Sequence, residues 1–128
     1  MKPTLVIMAA GLGARYGGLK QMEPMDEEGQ LLIDYSMYDA MRAGFGRIVC
    51  IIKEEMGADF EERVARRVRP HIPIECVYQR IEDLPAGFAV PEGRVRPWGT
   101  CQALLAALML HFVQLAEEYP DFISVLEV

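Results

Sequence analysis

The residues best suited to chemistry stand together in one short stretch, MAAGLGARYGGLKQ, at positions 8–21. Glycines such as Gly11 and Gly13 allow positive φ and let backbone N–H groups approach an anion without obstruction by a Cβ atom. Arg15 and Lys20 follow at once and can neutralise phosphate charge. The stretch therefore predicts a loop that binds a polyphosphate, against the simpler alternative of a tight turn followed by two surface cations.

Two familiar phosphate-binding loops fit this spacing poorly. A dinucleotide fingerprint needs a small residue where Tyr16 stands, and Gly17 and Gly18 would break the helix that should begin there. A P-loop needs lysine directly after its last glycine, but Leu19 occupies that position. A dinucleotide-binding oxidoreductase therefore remains only as a disfavoured alternative, since the second strand also lacks an acid suited to a ribose.

Short apolar runs at residues 4–10, 47–52 and 74–79 predict three strands, and FISVLEV at 122–128 predicts a further one. The first run is continuously apolar and ends in glycines, which favours a strand buried on both faces. Strands that alternate with helices predict an α/β fold, a Rossmann-like three-layer domain with a mostly parallel sheet and right-handed crossovers. The stretch 80–97, rich in proline and glycine, predicts a long loop.

Helices are predicted between the strands because apolar residues recur there at helical spacing. The first begins at an N-cap, Asp34, and stops at Gly44, and the last runs from an N-cap at Thr100 to about Glu118. The inner faces are predicted to be Tyr35, Tyr38 and Met41 in the first helix, Met56, Phe60, Val64 and Val68 in the second, and Leu104, Ala107, Leu108 and Leu115 in the last.

Length and composition indicate one globular domain, residues 1–128. Hydrophobic residues make up 52% of the chain, as expected of a globular protein. The net charge of −6 disfavours nucleic acid and anionic membranes as partners. No apolar run has the length of a membrane span or the pattern of a signal peptide, so we expect a cytoplasmic protein. Cys50, Cys76 and Cys101 form no CxxC pair and are expected to be reduced and buried; we assign neither histidine a metal or catalytic role.

The stretch LVIMAAGLGARYGGLKQ resembles the opening of the sugar-phosphate nucleotidyltransferases, whose signature is an apolar strand, AAGxGxR, a short spacer and a lysine. Cytidylyltransferases and molybdopterin guanylyltransferases begin similarly. The likeness continues through LLIDYSMYDAMRAGFGRIVCII, VYQ and RPWGTCQALLAA, and covers most of residues 4 to 107. It implies transfer of a nucleotidyl group from a nucleoside triphosphate to a sugar phosphate, with release of pyrophosphate.

The resemblance also implies the role of particular residues. The loop from Ala10 to Ala14, with Gly11 and Gly13, would surround the triphosphate. Arg15 and Lys20 would bind its phosphates and act as the catalytic cations, while Gln79 and Gly99 would lie near the base. Such a reaction needs positioning and charge neutralisation but no protein nucleophile, which agrees with the lack of a Ser/His/Asp or Cys/His set.

The resemblance does not extend to the family's metal-binding motif. Members of this family hold Mg²⁺ with an aspartate at the end of the strand after the long helix, and neither Asp121 nor Glu127 matches that motif. We therefore expect Mg²⁺ as the family's cofactor but assign it no ligand here, and expect an incomplete domain with little catalysis of its own. A noncatalytic remnant or interaction module of the same fold is the alternative. The apolar sheet edge left by missing strands is expected to be covered by a second copy, giving a homo-oligomer.

Overall fold

The computed structural model describes residues 2–11 and 23–118, and the side chains of its last helix as far as His111. In chain order its elements are β1 (Thr4–Met8), α1 (Leu32–Arg42), β2 (Arg47–Ile52), α2 (residues 54–68), β3 (Ile74–Tyr78) and α3 (Thr100–Glu118). This is an α/β fold, as the sequence predicts. The strand predicted at 122–128 lies outside the described residues.

The three strands form one parallel sheet in the order β1-β2-β3. Met8 lies opposite Ile51, and Ile51 lies opposite Val77, so the three carboxyl ends stand level at one edge of the sheet. β2 is buried along almost its whole length because it has a strand on each side and helices on both faces. The predicted parallel sheet is confirmed.

One face of the sheet is closed by α1 and α2. Their buried side chains pack on those of β2 that point the same way, and Leu5 and Ile7 of β1 pack against this cluster from the side. The cluster includes Ile33 and Met37 of α1, Ile48, Cys50 and Ile52 of β2, and Phe60, Val64 and Val68 of α2. This apolar cluster is the main core of the protein.

The predicted inner face of α2, at residues 56, 60, 64 and 68, is buried throughout. Residues spaced by four drift about 40° per step around an ideal α-helix, so this stripe would leave the core within three steps. The helix instead starts with a 3₁₀ turn at Glu54–Met56 and contains a π-helical stretch at Glu61–Ala65, which lies between α-helical turns at Gly57–Phe60 and Arg66–Val68. Its wider turn keeps all four side chains on the sheet.

α1 differs from its prediction in its start and in its inner face. The helix begins at Leu32, and Asp34 reaches back from its third position to accept the Leu31 N–H at 2.8 Å instead of standing at the N-cap. The buried residues are Ile33, Met37 and Ala40, while Tyr35 and Tyr38 are exposed. Tyrosine is amphipathic, and the Tyr35 hydroxyl donates to Asp26 Oδ2 at 2.6 Å on the surface.

The second face is covered only in part, by α3. Ala103 and Ala107 pack on Val49 and Ile51 of β2, which makes α3 the third layer of the domain. Helix α3 begins at Thr100 itself, so Gly99 occupies the position before it and Thr100 is not the N-cap. Two predicted inner residues, Leu104 and Leu108, are exposed, and the side chain of Leu115 lies beyond the part that is described.

Two other burial predictions are wrong on this second face. Thr4, Val6 and Met8 of β1 are exposed because α3 lies over β2 rather than over the outer strand, so β1 is not buried on both faces. Cys101, on the outer surface of α3, is exposed, whereas Cys50 is buried and Cys76 is half-buried. None of the described helices is both long and apolar enough to cross a membrane.

Candidate functional site

The chain leaves β1 toward the level edge formed by the strands' carboxyl ends, where parallel α/β sheets bind ligands. The Ala9 N–H donates to the Ile51 carbonyl at 2.7 Å, which extends the ladder one residue beyond the strand. Ala9 and Ala10 are buried, and Gly11 emerges at the surface. Gly13, Ala14, Arg15 and Lys20 belong to residues 12–22, outside those described, so their roles stay predictions.

Gln79 follows β3 at the same edge. Its N–H donates to the Ile52 carbonyl at 2.8 Å, and the residue is only 8% exposed. The amide nitrogen Nε2 donates to the Trp98 carbonyl at 3.0 Å and to Gln102 Oε1 at 2.7 Å. The structure therefore brings together two residues that the resemblance places near the base, since Gly99 directly follows Trp98.

The orientation of both glutamine amides follows from the main chain around them. Gln102 Nε2 donates to the carbonyls of Arg80 and Asp83, at 2.7 and 3.2 Å, so Gln102 Oε1 must face Gln79. Gln79 Nε2 then uses both of its hydrogens, on Trp98 and Gln102. In the described residues no group donates to Gln79 Oε1, which leaves that oxygen as an acceptor.

Trp98 links the two ends of the predicted loop 80–97, which contains no helix or strand. Its indole Nε1 donates to the Ile81 carbonyl at 2.7 Å. The Arg94 guanidinium lies 3.6 Å from the ring centroid and donates to the Arg96 and Pro97 carbonyls. Trp98 is thus occupied by contacts within the protein, which indicates a packing role.

A polar cavity of about 190 Å³ opens beside Gln79. Arg80 spans its rim with a two-pronged ion pair to Glu54, Nε to Oε2 at 2.9 Å and Nη2 to Oε1 at 3.3 Å. Hydrogen bonds from Arg80 lower the pKa of Glu54. Lys53 also lines the cavity and pairs with Glu55 at 3.3 Å. Ligand pockets usually exceed about 300 Å³, so this cavity has room for only part of a nucleotide.

These pairings limit what the described edge can contribute to phosphate binding. Lys53 and Arg80 already have carboxylate partners. The charge needed for a triphosphate would therefore have to come from the predicted Arg15 and Lys20. Over residues 2–11 and 23–118, no group of three or more His, Cys, Asp or Glu residues is arranged to hold a metal ion.

Gly11 and Gly99 do not need to be glycine for the shape of the backbone. Neither has a positive φ, contrary to the expectation for Gly11, and a Cβ at either position would meet no described atom within 4 Å. Each leaves main chain uncovered at the carboxyl edge. Open backbone of this kind suits close approach by a ligand.

Gln102, which sets the orientation of Gln79, was not predicted from the sequence. A polar side chain in the first turn of the otherwise apolar helix TCQALLAAL could have indicated it.

Comparison of the chain with known protein families and with curated proteins found no match.

Proposed function

We propose that this chain binds a nucleoside triphosphate at the carboxyl edge of its sheet and, together with an acceptor-binding part, transfers the nucleotidyl group to a sugar phosphate. The observation that carries this proposal is the arrangement of Gly11, Gln79 and Gly99 along one edge. The residues after β1 and after β3 are two strand spacings apart, roughly 10 Å. That distance suits a nucleotide with its base beside Gln79 and its phosphates at the glycine loop.

In this proposal the protein supplies position and charge. An oxygen of the acceptor phosphate attacks the α-phosphorus, the new P–O bond forms as the bond to the bridging oxygen breaks, and pyrophosphate leaves with the electron pair. Arg15 and Lys20 would stabilise the charge on the phosphate oxygens. The family's Mg²⁺ has no ligand group among the residues that the structure describes.

The glutamine network supports a preference among bases. Gln79 has both amide hydrogens in use and presents only an acceptor. An acceptor pairs with the ring N–H of uracil, thymine or guanine, whereas cytosine and unprotonated adenine can donate to it only from an exocyclic amino group and bring a ring acceptor beside it. We therefore expect UTP, dTTP or GTP to bind more tightly than CTP or ATP, because an unmatched buried polar group costs about 1–3 kcal/mol.

Calorimetric titration of the full chain with these triphosphates, with and without Mg²⁺, tests the proposal directly. Arg15→Ala and Lys20→Ala are each expected to weaken binding roughly 10- to 100-fold through loss of a charge-assisted hydrogen bond. Arg63→Ala, on the surface of α2, and Lys2→Ala, at the opposite end of β1, are the matched controls. The proposal is wrong if no triphosphate binds, or if the controls weaken binding equally.

Gly11→Ala and Gly99→Ala test the role of the open backbone. Because a Cβ at either position would meet no described atom within 4 Å, both variants should keep the thermal midpoint of the unmodified chain. They should nevertheless bind the triphosphate at least about tenfold more weakly, since the added methyl group would occupy the ligand's approach. Unchanged binding in both variants would move the site away from this edge.

The alternative is an interaction module of the same fold that handles no nucleotide. The observation that favours it is the exposed apolar side chains of α3: Leu104, Leu105, Leu108 and Met109. A patch of this kind often marks a contact with another surface. A chain that binds no triphosphate and sediments as a dimer would support this alternative.

A further inference from the structure

The outer strand β1 borders an apolar groove, which we call the β1 groove. It has a volume of about 320 Å³ and is lined by Val6 and Val49 of the sheet and by Leu104, Ala107, Leu108 and Leu110 of α3. Val6 and Met8 are 38% and 48% exposed on this side. Among the described strands β1 pairs with β2 alone, so its second edge also offers free backbone groups.

The backbone groups on that edge can be identified from the ladder. The Ala9 N–H donates to Ile51 and the Pro3 carbonyl accepts from Gly46, so residues 3 and 9 face β2. The direction of the backbone N–H and C=O groups alternates along a strand, so those of Leu5 and Ile7 also point to β2, while those of Thr4, Val6 and Met8 point to the outer edge. Three N–H groups and three carbonyls of β1 thus point away from β2, toward an edge that none of the described strands occupies.

The placement of the helices indicates which strand belongs in that position. The order β1-β2-β3 advances in one direction with α1 and α2 on one face, whereas α3 lies on the opposite face. A right-handed crossover through a helix on that opposite face must move back from β3 toward β1. Both edges of β2 are taken, so the next parallel strand after α3 belongs at the outer edge of β1.

The chain after α3 can reach this edge. Leu110 and His111 already lie beside Lys2, Pro3 and Thr4 at the amino end of β1. The helix continues to Glu118, about 10 Å further at 1.5 Å per residue. Ten residues follow, enough for roughly 33 Å of extended chain. About 10 Å of that length brings the chain back from the end of α3 to the amino end of β1. The rest allows some five residues to pair along β1.

We propose that residues 122–128, FISVLEV, occupy the β1 groove as a fourth parallel strand that pairs with β1. The segment is apolar and β-prone, with Phe122, Ile123, Val125, Leu126 and Val128, and suits a position between β1 and α3. It completes the second face from within the same chain. A second copy of the chain is therefore not needed to cover the edge of β1.

Hydrogen exchange on the unmodified full chain tests this assignment. The amides of Val6 and Met8 should exchange on the order of 100-fold or more slowly than exposed loop amides, independently of protein concentration. The Ile7 amide, which faces β2, is the internal reference. Rapid exchange at Val6 and Met8 would overturn the proposal, and so would protection that appears only at high concentration, because it would indicate a second copy.

Two variants link the protection to the proposed segment. Val125→Pro removes a backbone donor and should raise exchange at Val6 and Met8 at least about tenfold while Ile7 changes less. Val125→Ala keeps the donor and should leave exchange close to that of the unmodified chain. Protection that is equally strong in Val125→Pro would overturn the proposal, because another segment would then cover β1. Neither result depends on nucleotide binding.

Discussion

The two faces of the sheet are built from the same strands but differ in how fully they are covered. On one face two helices bury aromatic and large aliphatic side chains such as Phe60 and Met37 against β2. On the other, α3 contacts the sheet through small residues, Ala103 and Ala107, and leaves its larger apolar side chains exposed. In the part of the chain that the structure describes, the first face therefore holds most of the buried apolar side chains, and the second is covered less fully.

This difference shows how the covering of a parallel sheet depends on helix number and position. Each crossover in the order β1-β2-β3 adds a helix to the same face, so that face is closed once three strands are present. The opposite face depends on strands and helices added in the other direction. Of the described helices only α3 lies there, over the centre of the sheet, and the side chains of Thr4, Val6 and Met8 in the outer strand β1 are exposed.

Thiol labelling should show the largest contrast between the two faces. Burial raises the pKa of Cys50 from 9.0 to about 12 and that of Cys76 to about 11. A pKa near 12 lowers the thiolate fraction of Cys50 roughly a thousand-fold. Iodoacetamide at pH 8, followed by mass spectrometry, should therefore modify exposed Cys101 first and Cys50 only after unfolding. Equal rates at Cys50 and Cys101 would contradict the closed face.

A pair of methionine truncations should show the next largest difference. Met37→Ala opens a cavity in the closed face and is expected to lower the free energy of unfolding by about 2–5 kcal/mol. Met109→Ala removes a side chain that is 64% exposed on α3 and should cost about 1 kcal/mol at most. Urea unfolding of both variants measures the difference. Equal losses would mean that the second face is packed as fully as the first.

Substitution of Gln79 should have an intermediate effect. Gln79→Leu leaves the Trp98 carbonyl and Gln102 Oε1 without their donor and is expected to lower the free energy of unfolding by about 1–3 kcal/mol. Gln30→Leu is the control, because the Gln30 side chain makes an exposed bond to Glu28. Urea unfolding followed by Trp98 fluorescence reports the stability and also the environment of Trp98, where the two ends of the loop 80–97 meet. A loss no larger than the control's would show that this network adds nothing to stability.

The smallest effect is expected from an exposed ion pair between Glu61 of α2 and Arg69, the residue after this helix. Hydrogen bonds from Arg69 lower the pKa of Glu61 below its ordinary value of 4.5. Because the folded pKa is the lower one, the stabilisation is present above pH 4.5 and is lost as the pH falls through the folded pKa. Glu61→Gln should therefore lower the urea midpoint slightly at pH 7, with the difference shrinking toward pH 3. A pH-independent difference would contradict the ionic origin.

Elements buried on all sides were the ones that the sequence predicted well. Strand β2 and the inner face of α2 match their predictions because an apolar side chain at every core position leaves a clear periodic pattern. The faces of α1 and α3 were predicted less well. Tyr35 is apolar in its ring but donates to Asp26 at the surface, and the leucines of α3 encircle the helix, so composition alone did not show which side packs.

The candidate site shows the same division between local pattern and tertiary contact. The sequence placed Gln79 and Gly99 near one another through a resemblance, and the structure brings Gln79 to the residue before Gly99. It did not indicate Gln102 or the contacts of Trp98 with Arg94 and Ile81, because those contacts join residues up to 23 positions apart. The roles of Arg15 and Lys20 remain predictions from the glycine-rich stretch.

By itself the sequence determined the fold class and the order of strands and helices, because apolar periodicity and glycine punctuation act over a few residues. Only the tertiary structure decided that α3 covers the centre of the second face, that β1 pairs with β2 alone among the described strands, and that two glutamines are oriented by main-chain carbonyls. These features depend on which side of the sheet a helix packs and on hydrogen bonds between distant segments. Neither is a property of local sequence.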